Sequence, residues 1–599
     1  MDGAPVVLRL QATDEQRSVV DSALADLEER AFLERLWKRD PSLWKEDDRH
    51  ATIIGNALGW LTVPGELAAE ADAVATFADE VRADGIEHVV LLGMGGSSLA
   101  PETLTEILGA GEGYPELCIL DSTDPDAVLD MRHGTCLERR GRSRCCPRGC
   151  EQQRPLNLSA TLFVVASKSG GTVETASFHA YFYEALEELI GERAGRHFVA
   201  ITDEGTRLEE AALEQGFRAV FLNPDDIGGR YSALSFFGMV PAALAGLDIC
   251  RLLDDALSTA ATCGPEVACA DAPAVVLGAV IGGLARQGRD KLTLLAPGTL
   301  APLGAWIEQL LAESTGKEGR GILPVDLEPL GDVESYDDDR LFVHLRLADD
   351  PSEETDEAAR EVDELSAAVE ELAAAGHPVV TITLPDCWAV GGQFFLWEVA
   401  TAAAGAVLEI DPFDQPNVQE SKDNTGRLLD RFVEEGSLAD VGDDAGGVRA
   451  ADGQEAVAEA LATLFEDVGP GDYVCLQAYV APSAAVWMGL EAARRTVRDR
   501  LKVATTAGYG PRFLHSTGQY HKGGPDTGVY VQLVADHQRD APIPGRPFGF
   551  SVLERAQADG DLESLRSRGR RIVRVDLGAD VAAGLETVVR AVAAALGAA

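Results

Sequence analysis

The chain has 599 residues, 46% of them hydrophobic, and it carries a formal net charge of -48. It is too long for one hydrophobic core, so it should fold into several domains. Its acidic surface argues against a nucleic-acid partner, and ten cysteines are too few for a disulfide framework in a chain of this size.

Two features of the sequence favour a cytoplasmic protein with no membrane partner. The apolar stretch 273–284 is too short to span a bilayer. The first residues, 1–5, hold neither a basic segment nor an apolar core, so the sequence predicts no signal peptide.

The chain begins with helical spacing. Ala, Leu and Glu recur at helical intervals over residues 13–80, with breaks at Pro41 and Pro64, which predicts an N-terminal helical segment over 1–80. Strands and helices then alternate, and this alternation is typical of a doubly wound parallel sheet that gathers ligands at the carboxyl ends of its strands. The first α/β domain is predicted over 81–290, with strands at 88–92, 117–120, 161–166, 197–201 and 219–222.

The loop 93–98 follows the first of these strands and precedes a helix. Its glycines suggest a dinucleotide site, but Ser98 stands where the fingerprint needs a third glycine. Two adjacent hydroxyls at a helix N-terminus suit a sugar or a monophosphate better. The stretch 313–318 is likewise no nucleotide P-loop, because Leu311 occupies the upstream glycine position.

Segment 132–157 does not match the rest of the chain. It is rich in arginine and contains His133, Cys136, Cys145, Cys146 and Cys150. Its uneven cysteine spacing lacks the paired short intervals of zinc sites, so we favour an atypical surface insertion without a catalytic role over a metal knuckle.

The stretch 161–175 leads from an apolar, β-branched strand into a cluster of hydroxyls. Gly170 and Gly171 allow a tight turn where the next helix, at 172–189, begins. Exposed N–H groups at a helix start suit a phosphate monoester, although a capped Ser/Gly-rich loop without a ligand is the alternative. The hydroxyls belong to Ser167, Ser169, Thr172 and Thr175, and Lys168 adds a full positive charge.

A second run of strands predicts a second α/β domain over 291–599. The strands lie at 291–295, 341–347, 378–384, 473–477, 527–534 and 571–575, and a helix at 581–596 follows them. The acidic, Gly-rich stretch 434–453 is predicted to be a surface loop or a short linker. The predicted fold class is therefore α/β, with two doubly wound parallel-sheet domains as α/β/α sandwiches after the helical segment.

Five motifs, taken together and in this order, resemble those of the glucose-6-phosphate isomerase family. They are Gly93-Met-Gly-Gly-Ser-Ser98, Ser167-Lys-Ser-Gly-Gly-Thr-Val-Glu-Thr175, Gly228-Gly-Arg-Tyr-Ser232, Gln309-Leu-Leu-Ala-Glu-Ser-Thr-Gly-Lys317 and Asp411-Pro-Phe-Asp-Gln-Pro416. More narrowly, the chain resembles the isomerase half of bacterial transaldolase/phosphoglucose isomerase fusion proteins. The resemblance covers nearly all of the chain after residue 50, and each motif alone would be weak.

The resemblance implies two sugar isomerase (SIS) domains, an active site that a homodimer partner completes, and a sugar phosphate substrate in glycolysis and gluconeogenesis. It implies no cofactor and no metal. Because the sequence leaves no room for the barrel with its Schiff-base lysine, we expect no transaldolase activity.

By the same resemblance, seven residues bind the substrate. Gly96 and Ser97 contact the sugar, and Gln309 also contacts the substrate. The residues that hold the phosphate are Ser167, Lys168, Ser169 and Thr172.

The resemblance also assigns the proton transfer. Glu313 is the base that moves a proton between C1 and C2, and Arg230 stabilises the enediolate. This agrees with the chemistry, which needs one carboxylate and one cation beside the developing oxyanion. Glu313 ends the apolar helix 306–312, where partial burial would raise the pKa of its carboxyl. The alternatives are that Glu313 is a solvated helix-end acid and that Arg230 pairs with a neighbouring aspartate.

Ring opening is assigned to His515, and the resemblance implies that Lys422, which follows Asp-Gln-Pro, assists it. Opening a pyranose needs a proton donor and a base, and histidine serves as both near neutral pH. His515 matches the His-Ser-x-Gly-Gln motif of many bacterial members, but here that motif follows Asp-Gln-Pro instead of preceding it. His521 is the rival for this role, and a loop histidine that only caps backbone groups is the third interpretation.

The sequence therefore predicts an enzyme that interconverts glucose 6-phosphate and fructose 6-phosphate through ring opening and a cis-enediolate. One alternative is an isomerase of another sugar phosphate, such as mannose 6-phosphate. The other is a non-catalytic SIS-domain regulator that only binds a sugar phosphate.

Overall fold

The computed structural model of the chain describes residues 7–133, 155–348, 356–438 and 447–597. Most of the predicted insertion (134–154) and part of the predicted acidic loop (439–446) lie outside these residues. The chain divides into two compact units. Unit 1 comprises Met1–Ile119, Asn157–Leu327 and Arg340–Asp414, and unit 2 comprises Leu120–Leu156, Glu328–Asp339 and Gln415–Ala599.

The described residues form β-strands and α-helices that alternate over most of the chain. The strands are β1 Val7–Gln11, β2 His88–Gly93, β3 Glu116–Leu120, β4 Thr161–Ala166, β5 Phe198–Thr202, β6 Ala219–Leu222, β7 Lys291–Leu295, β8 Leu323–Val325, β9 Arg340–Leu347, β10 Val379–Leu384, β11 Val448–Arg449, β12 Tyr473–Tyr479, β13 Ala504–Tyr509, β14 Gly528–Val534 and β15 Arg571–Asp576. The helices are α1 Asp14–Glu29, α2 Phe32–Trp37, α3 Asp48–Gly55, α4 Val63–Ala68, α5 Ala71–Ala83, α6 Leu99–Leu108, α7 Pro125–His133, α8 Val173–Ile190, α9 Arg207–Glu214, α10 Phe236–Leu244, α11 Ile249–Ala261, α12 Pro273–Ala285, α13 Leu303–Thr315, α14 Asp356–Ala374, α15 Val390–Leu408, α16 Pro416–Glu435, α17 Gln454–Phe465, α18 Ala484–Leu501, α19 Gly518–Gly523, α20 Phe550–Ser567 and α21 Val581–Ala595.

The first sheet of unit 1 has the strand order β3-β2-β4-β5-β6. β4 pairs in parallel with β2 and with β5, and β5 pairs in parallel with β6. All six residues of β4 are buried, as expected for a central strand that is covered on both faces. The carboxyl ends of β2 and β4 carry the two loops in which the sequence predicts sugar and phosphate binding.

The second sheet of unit 1 has the order β1-β10-β9-β7-β8. The pairs of β7, β8, β9 and β10 are parallel, whereas β1 joins the edge in antiparallel register, with Val7 opposite Thr383 and Gln11 opposite Val379. The predicted N-terminal segment 1–80 is thus mainly helical but also supplies an edge strand.

The core of unit 1 is built around α15, whose 19 residues are all buried. Two glycines of α12 allow α15 to approach closely. A Cβ added to Gly278 would lie 2.5 Å from Cβ of Ala403, and one added to Gly282 would lie 3.0 Å from Cβ of Val407. Among the described helices, none combines the length and the apolar composition that a membrane span requires.

Unit 2 contains a sheet of its own, with the order β11-β15-β14-β12-β13 and parallel pairing throughout. The α/β fold class with parallel sheets is therefore confirmed. The predicted single domain over 291–599 differs from the structure, because these residues contribute strands to two sheets that belong to different units. The alternation of strands and helices predicts the elements but does not indicate which strands share a sheet.

Candidate active site

Glu313 and Arg230 form a buried ion pair in unit 1. Glu313 lies in the last turn of α13, and Arg230 lies in a short 3-10 turn, Gly229–Tyr231. Nη1 of Arg230 is 3.5 Å from Oε2 of Glu313, and the two side chains are only 2% and 5% exposed. The alternative of a solvated helix-end carboxylate at 313 is therefore wrong.

The guanidinium of Arg230 is held by hydrogen bonds on its other atoms. Nε donates to Oγ of Ser314 at 2.7 Å, and Nη2 donates to the carbonyl oxygens of Pro412 at 2.6 Å and Asp414 at 3.0 Å. These acceptors come from α13 and from the loop after α15, so two distant parts of the chain fix one planar group. The cation is pre-oriented toward the carboxylate.

Gln309 lies one helical turn before Glu313 on the same face of α13. Its Nε2 is 3.5 Å from Oε1 of Glu313, and its side chain is buried. The i,i+4 spacing places both groups on one side of the helix. The structure thus brings together three of the predicted site residues, Arg230, Gln309 and Glu313.

Lys317 and Asp414, which have no role among the predicted site residues, form a second buried ion pair beside Arg230. Nζ of Lys317 lies 2.5 Å from Oδ1 of Asp414 and donates to the Asp414 carbonyl oxygen at 2.6 Å. That carbonyl also accepts from Arg230. Burial lowers the pKa of Lys317 to about 8, although Asp414 opposes the shift.

His50 and Asp411 extend this group of polar side chains. Nδ1 of His50 is 2.8 Å from Oδ2 of Asp411 and 3.9 Å from Oδ2 of Asp414. Oδ1 of Asp411 accepts the N–H of Phe413 at 2.9 Å, which shapes the loop that holds Arg230. The donor atoms of these three residues lie within 4.8 Å of one another, so they could hold a metal ion. Asp411 and Asp414 lie in a quoted motif, whereas no sequence pattern marks His50.

The loop at the end of β2 touches the Arg230 turn directly. A Cβ added to Gly96 would lie 1.9 Å from the carbonyl oxygen of Gly229, so only glycine fits at 96. Oγ of Ser232 is 2.6 Å from the carbonyl oxygen of Gly229 and 3.3 Å from that of Gly96. The predicted sugar contacts, Gly96 and the half-buried Ser97, thereby lie next to the ion pair of Arg230 and Glu313.

The predicted phosphate loop connects β4 to α8. Oγ of Ser167 donates to Oγ1 of Thr172 at 3.2 Å, and Thr172 is the N-cap residue of α8. Ser169 is exposed and Gly170 has a φ of 61°, which a glycine adopts without strain. The loop therefore presents hydroxyls and the N-terminus of a long helix, an arrangement that binds anions.

Lys168 of the same loop is engaged within the protein. Its Nζ lies 2.5 Å from Oδ2 of Asp203 and donates to the carbonyl oxygen of Asp225 at 2.7 Å. Burial raises the pKa of Asp203, while Lys168 acts in the opposite direction. The side chain of Lys168 is one-third exposed, and its ammonium group would have to turn from these partners to contact a bound phosphate.

Lys422 and His515 belong to unit 2, whereas the other predicted site residues belong to unit 1. Lys422 is exposed on α16, and His515 ends a half-buried 3-10 turn, Arg512–His515. The rival His521 is a core residue. It is 1% exposed and stacks on Tyr473, and burial holds its pKa well below the ordinary value, so it is neutral.

Comparison with known proteins shows what this chain is similar to. The family model described as "Phosphoglucose isomerase" matches residues 150–318, a range that holds the phosphate loop, Arg230 and Glu313. A glucose-6-phosphate isomerase from Citrifermentans bemidjiense is 28% identical over 70% of this chain and 79% of its own length. A glucose-6-phosphate isomerase from Parabacteroides distasonis is 28% identical over 62% of this chain and 87% of its own.

Among solved structures, a hypothetical protein from Thermus thermophilus shares the fold with a TM-score of 0.55 and 27% sequence identity. The likeness covers 72% of this chain and all of that protein. A substantial part of this chain therefore has no counterpart there.

Proposed function

We propose that this protein is a glucose-6-phosphate isomerase that interconverts glucose 6-phosphate and fructose 6-phosphate. The observation that carries the proposal is the buried pair of Glu313 and Arg230, a carboxylate and a fixed cation 3.5 Å apart. Such a pair fits a proton transfer next to a carbonyl group, and the similarity to glucose-6-phosphate isomerases supports the same chemistry.

The proposed reaction starts from the open-chain aldose. Glu313 takes the proton from C2, and the electrons of that C–H bond form the enediolate with C1. Arg230 stabilises the negative charge that develops on the oxygen, and its fixed guanidinium needs little reorganisation to do so. A proton passes from the C2 hydroxyl to the C1 oxygen, and Glu313 returns its proton to C1, which gives the ketose.

The phosphate group would bind at the start of α8. Ser167, Ser169 and Thr172 supply hydroxyls there, and the helix N-terminus favours an anion. Lys168 would exchange its contact with Asp203 for one with the phosphate. The net charge of -48 makes such a local cation important, because the whole protein otherwise repels an anionic substrate.

Ring opening is proposed for His515, with assistance from Lys422. Gly96, Ser97 and Gln309 would contact the sugar. The half-buried position of His515 supports this choice over His521, which is enclosed by aromatic side chains.

Several finer points extend the proposal. The two sheets of unit 1 would be the two SIS domains, and the chain would correspond to the isomerase half of transaldolase/phosphoglucose isomerase fusions. We further propose that the enzyme works in the cytoplasm as a homodimer in glycolysis and gluconeogenesis, and that the isomerisation itself uses no metal and no cofactor.

The test is an assay of the purified chain on a panel of sugar phosphates, with the product measured by a coupled enzyme. Turnover of glucose 6-phosphate and fructose 6-phosphate is expected, with mannose 6-phosphate slower. Faster turnover of mannose 6-phosphate than of glucose 6-phosphate would favour the alternative of a mannose 6-phosphate isomerase. Tight binding of a sugar phosphate without turnover would favour the regulator.

A further inference from the structure

Unit 2 contains a cluster of ionisable side chains that has no part in the proposed isomerisation. Nε2 of His537 is 2.7 Å from Oε2 of Glu554, and its Nδ1 is 3.8 Å from Oδ2 of Asp124. One donor atom from each of the three residues lies within 4.8 Å of the others. Asp124 and Glu554 are each 2% exposed.

The backbone fixes these side chains before any ligand binds. Asp124 precedes α7, and its Oδ1 accepts the N–H groups of Asp126 at 2.7 Å and Ala127 at 3.1 Å. The helix cap occupies Oδ1 and leaves Oδ2 directed at His537. His537 follows β14, and Glu554 lies in the second turn of α20.

The cluster lies beside the point where the strand order of the unit 2 sheet reverses. β12 and β14 are neighbours, but the chain continues from β12 to β13 at one edge and from β14 to β15 on the other side. Open parallel sheets bind ligands outside the carboxyl ends of such strand pairs. A cavity of about 190 Å³ opens there, lined by Tyr479, Val534, His537 and Glu554. A larger cavity of about 920 Å³ is lined by Asp124, His537, Ser483 and Arg539.

Two polar atoms at the smaller cavity are buried without a hydrogen-bond partner among the described residues. They are Oε1 of Glu554 and Oη of Tyr479. Leaving such atoms unsatisfied costs free energy, so their presence beside one cavity makes it a suitable place for a polar ligand or a cation.

We propose that Asp124, His537 and Glu554 bind a Zn²⁺ ion at the carboxyl edge of the unit 2 sheet. Imidazole and carboxylate are both zinc ligands, and one imidazole selects against Mg²⁺ and Ca²⁺, which prefer oxygen ligands alone. One ring nitrogen of His537 would bind the ion, and a Zn²⁺ about 2.1 Å from each ligand would draw together the three donor atoms, which lie within 4.8 Å of one another. Three protein ligands leave a fourth position open to the cavity.

The experiment is a calorimetric titration of the full chain with ZnCl₂ after treatment with a chelator. One equivalent is expected to bind, and Glu554→Gln and His537→Ala should each weaken the affinity by at least about tenfold. Glu563→Gln, on the exposed side of the same helix, should bind as the unaltered chain does. Circular dichroism shows whether each variant is folded. If His537→Ala does not fold, Glu554→Gln still tests the site, because glutamine keeps the shape of the glutamate side chain.

The cysteine-rich segment 132–157 could bind zinc as well, so the ligands must be identified. With Co²⁺ in place of Zn²⁺, the proposed site gives visible d–d bands that Glu554→Gln abolishes, without a thiolate charge-transfer band. A thiolate band, affinity unchanged by Glu554→Gln, or no binding at all would overturn the proposal.

Discussion

The carboxylate of Glu313 and the guanidinium of Arg230 lie 3.5 Å apart in a site that excludes water from both side chains. Taking both charges out of water costs about as much free energy as their attraction returns, so a buried pair of this kind is weak support for stability. It is well suited to a reaction in which one partner gives up its charge temporarily. In the proposed reaction, a proton taken from a substrate carbon would neutralise Glu313, while Arg230 would stabilise the new negative charge on the substrate.

The contact between the loop 93–98 and the turn Gly229–Tyr231 is predicted to depend on Gly96. In Gly96→Ala, the added Cβ would overlap the carbonyl oxygen of Gly229, so one loop must move. We expect kcat/KM to fall by about 10²-fold, since displacements of about 1 Å at a catalytic group have effects of this size. Steady-state kinetics on both sugar phosphates measures the change.

A matched control for this variant is Gly55→Ala at the end of α3. An added Cβ there meets nothing within 4 Å, so activity should be unaltered. Equal activity of Gly96→Ala and the unaltered enzyme would remove this contact from the catalytic site.

Glu398 of α15 is predicted to make the stability of the protein depend on pH. Its carboxyl is fully buried, neither oxygen has a hydrogen-bond partner among the described residues, and burial raises its pKa well above the ordinary 4.5. The folded chain therefore keeps this proton at pH values where the unfolded chain releases it. Stability is present in full below about pH 4.5 and is lost as the pH rises toward the folded pKa.

Glu398→Gln removes this titration and keeps the shape of the side chain. Thermal unfolding should give a similar Tm for both proteins at pH 4.5 and a higher Tm for the variant at pH 8. Glu66→Gln, at an exposed position on α4, should show no such divergence. A Tm difference that stays constant across this range would show that Glu398 is not protonated in the folded protein.

His515 is predicted to act in ring opening and not in the proton transfer between C1 and C2. His515→Ala should lower turnover of cyclic glucose 6-phosphate by about 10²-fold, which is typical for loss of a general acid or base. Proton exchange on an open-chain substrate should fall much less, because that substrate needs no ring opening. Equal losses on both substrates would exclude His515 from this role.

His521→Ala is expected to act differently, through stability. His521 packs against Phe513, Tyr473 and Tyr530, so its removal leaves a cavity in the core of unit 2. The Tm of His521→Ala should fall. The ratio of its turnover on cyclic glucose 6-phosphate to its proton exchange on an open-chain substrate should stay unchanged. A loss confined to the cyclic substrate in His521→Ala would transfer the role to this residue.

Local patterns in the sequence predicted single elements well and their arrangement less well. β4 was predicted with its observed bounds, because six consecutive buried residues give a clear apolar run. β1 was missed, since five residues near the terminus gain their strand conformation by pairing with β10, far along the chain. The separate sheet of unit 2 was missed for the same reason, because strand pairing is a tertiary property.

Of the residues in the candidate site, some lie in sequence motifs and others are brought together only by the fold. Glu313, Arg230 and Gln309 lie in motifs, so the sequence indicated them before their contacts were known. The pairing of Lys317 with Asp414 follows from burial, and His50 carries no motif. Asp124, His537 and Glu554 come from three distant parts of the chain, and a local pattern has no means of relating them.

The assignment of Glu313 as the base is tested most directly by hydrogen exchange in D₂O. With glucose 6-phosphate and the unaltered chain, proton NMR should show fructose 6-phosphate and deuterium at the exchanged carbons. Glu313→Gln should fold and bind substrate but lower this exchange by about 10²–10⁴-fold, or roughly 3–5 kcal/mol of barrier, while Glu308→Gln on the same helix should retain it. Near-unaltered exchange in folded Glu313→Gln, or no exchange by the unaltered chain, would contradict the proposed reaction.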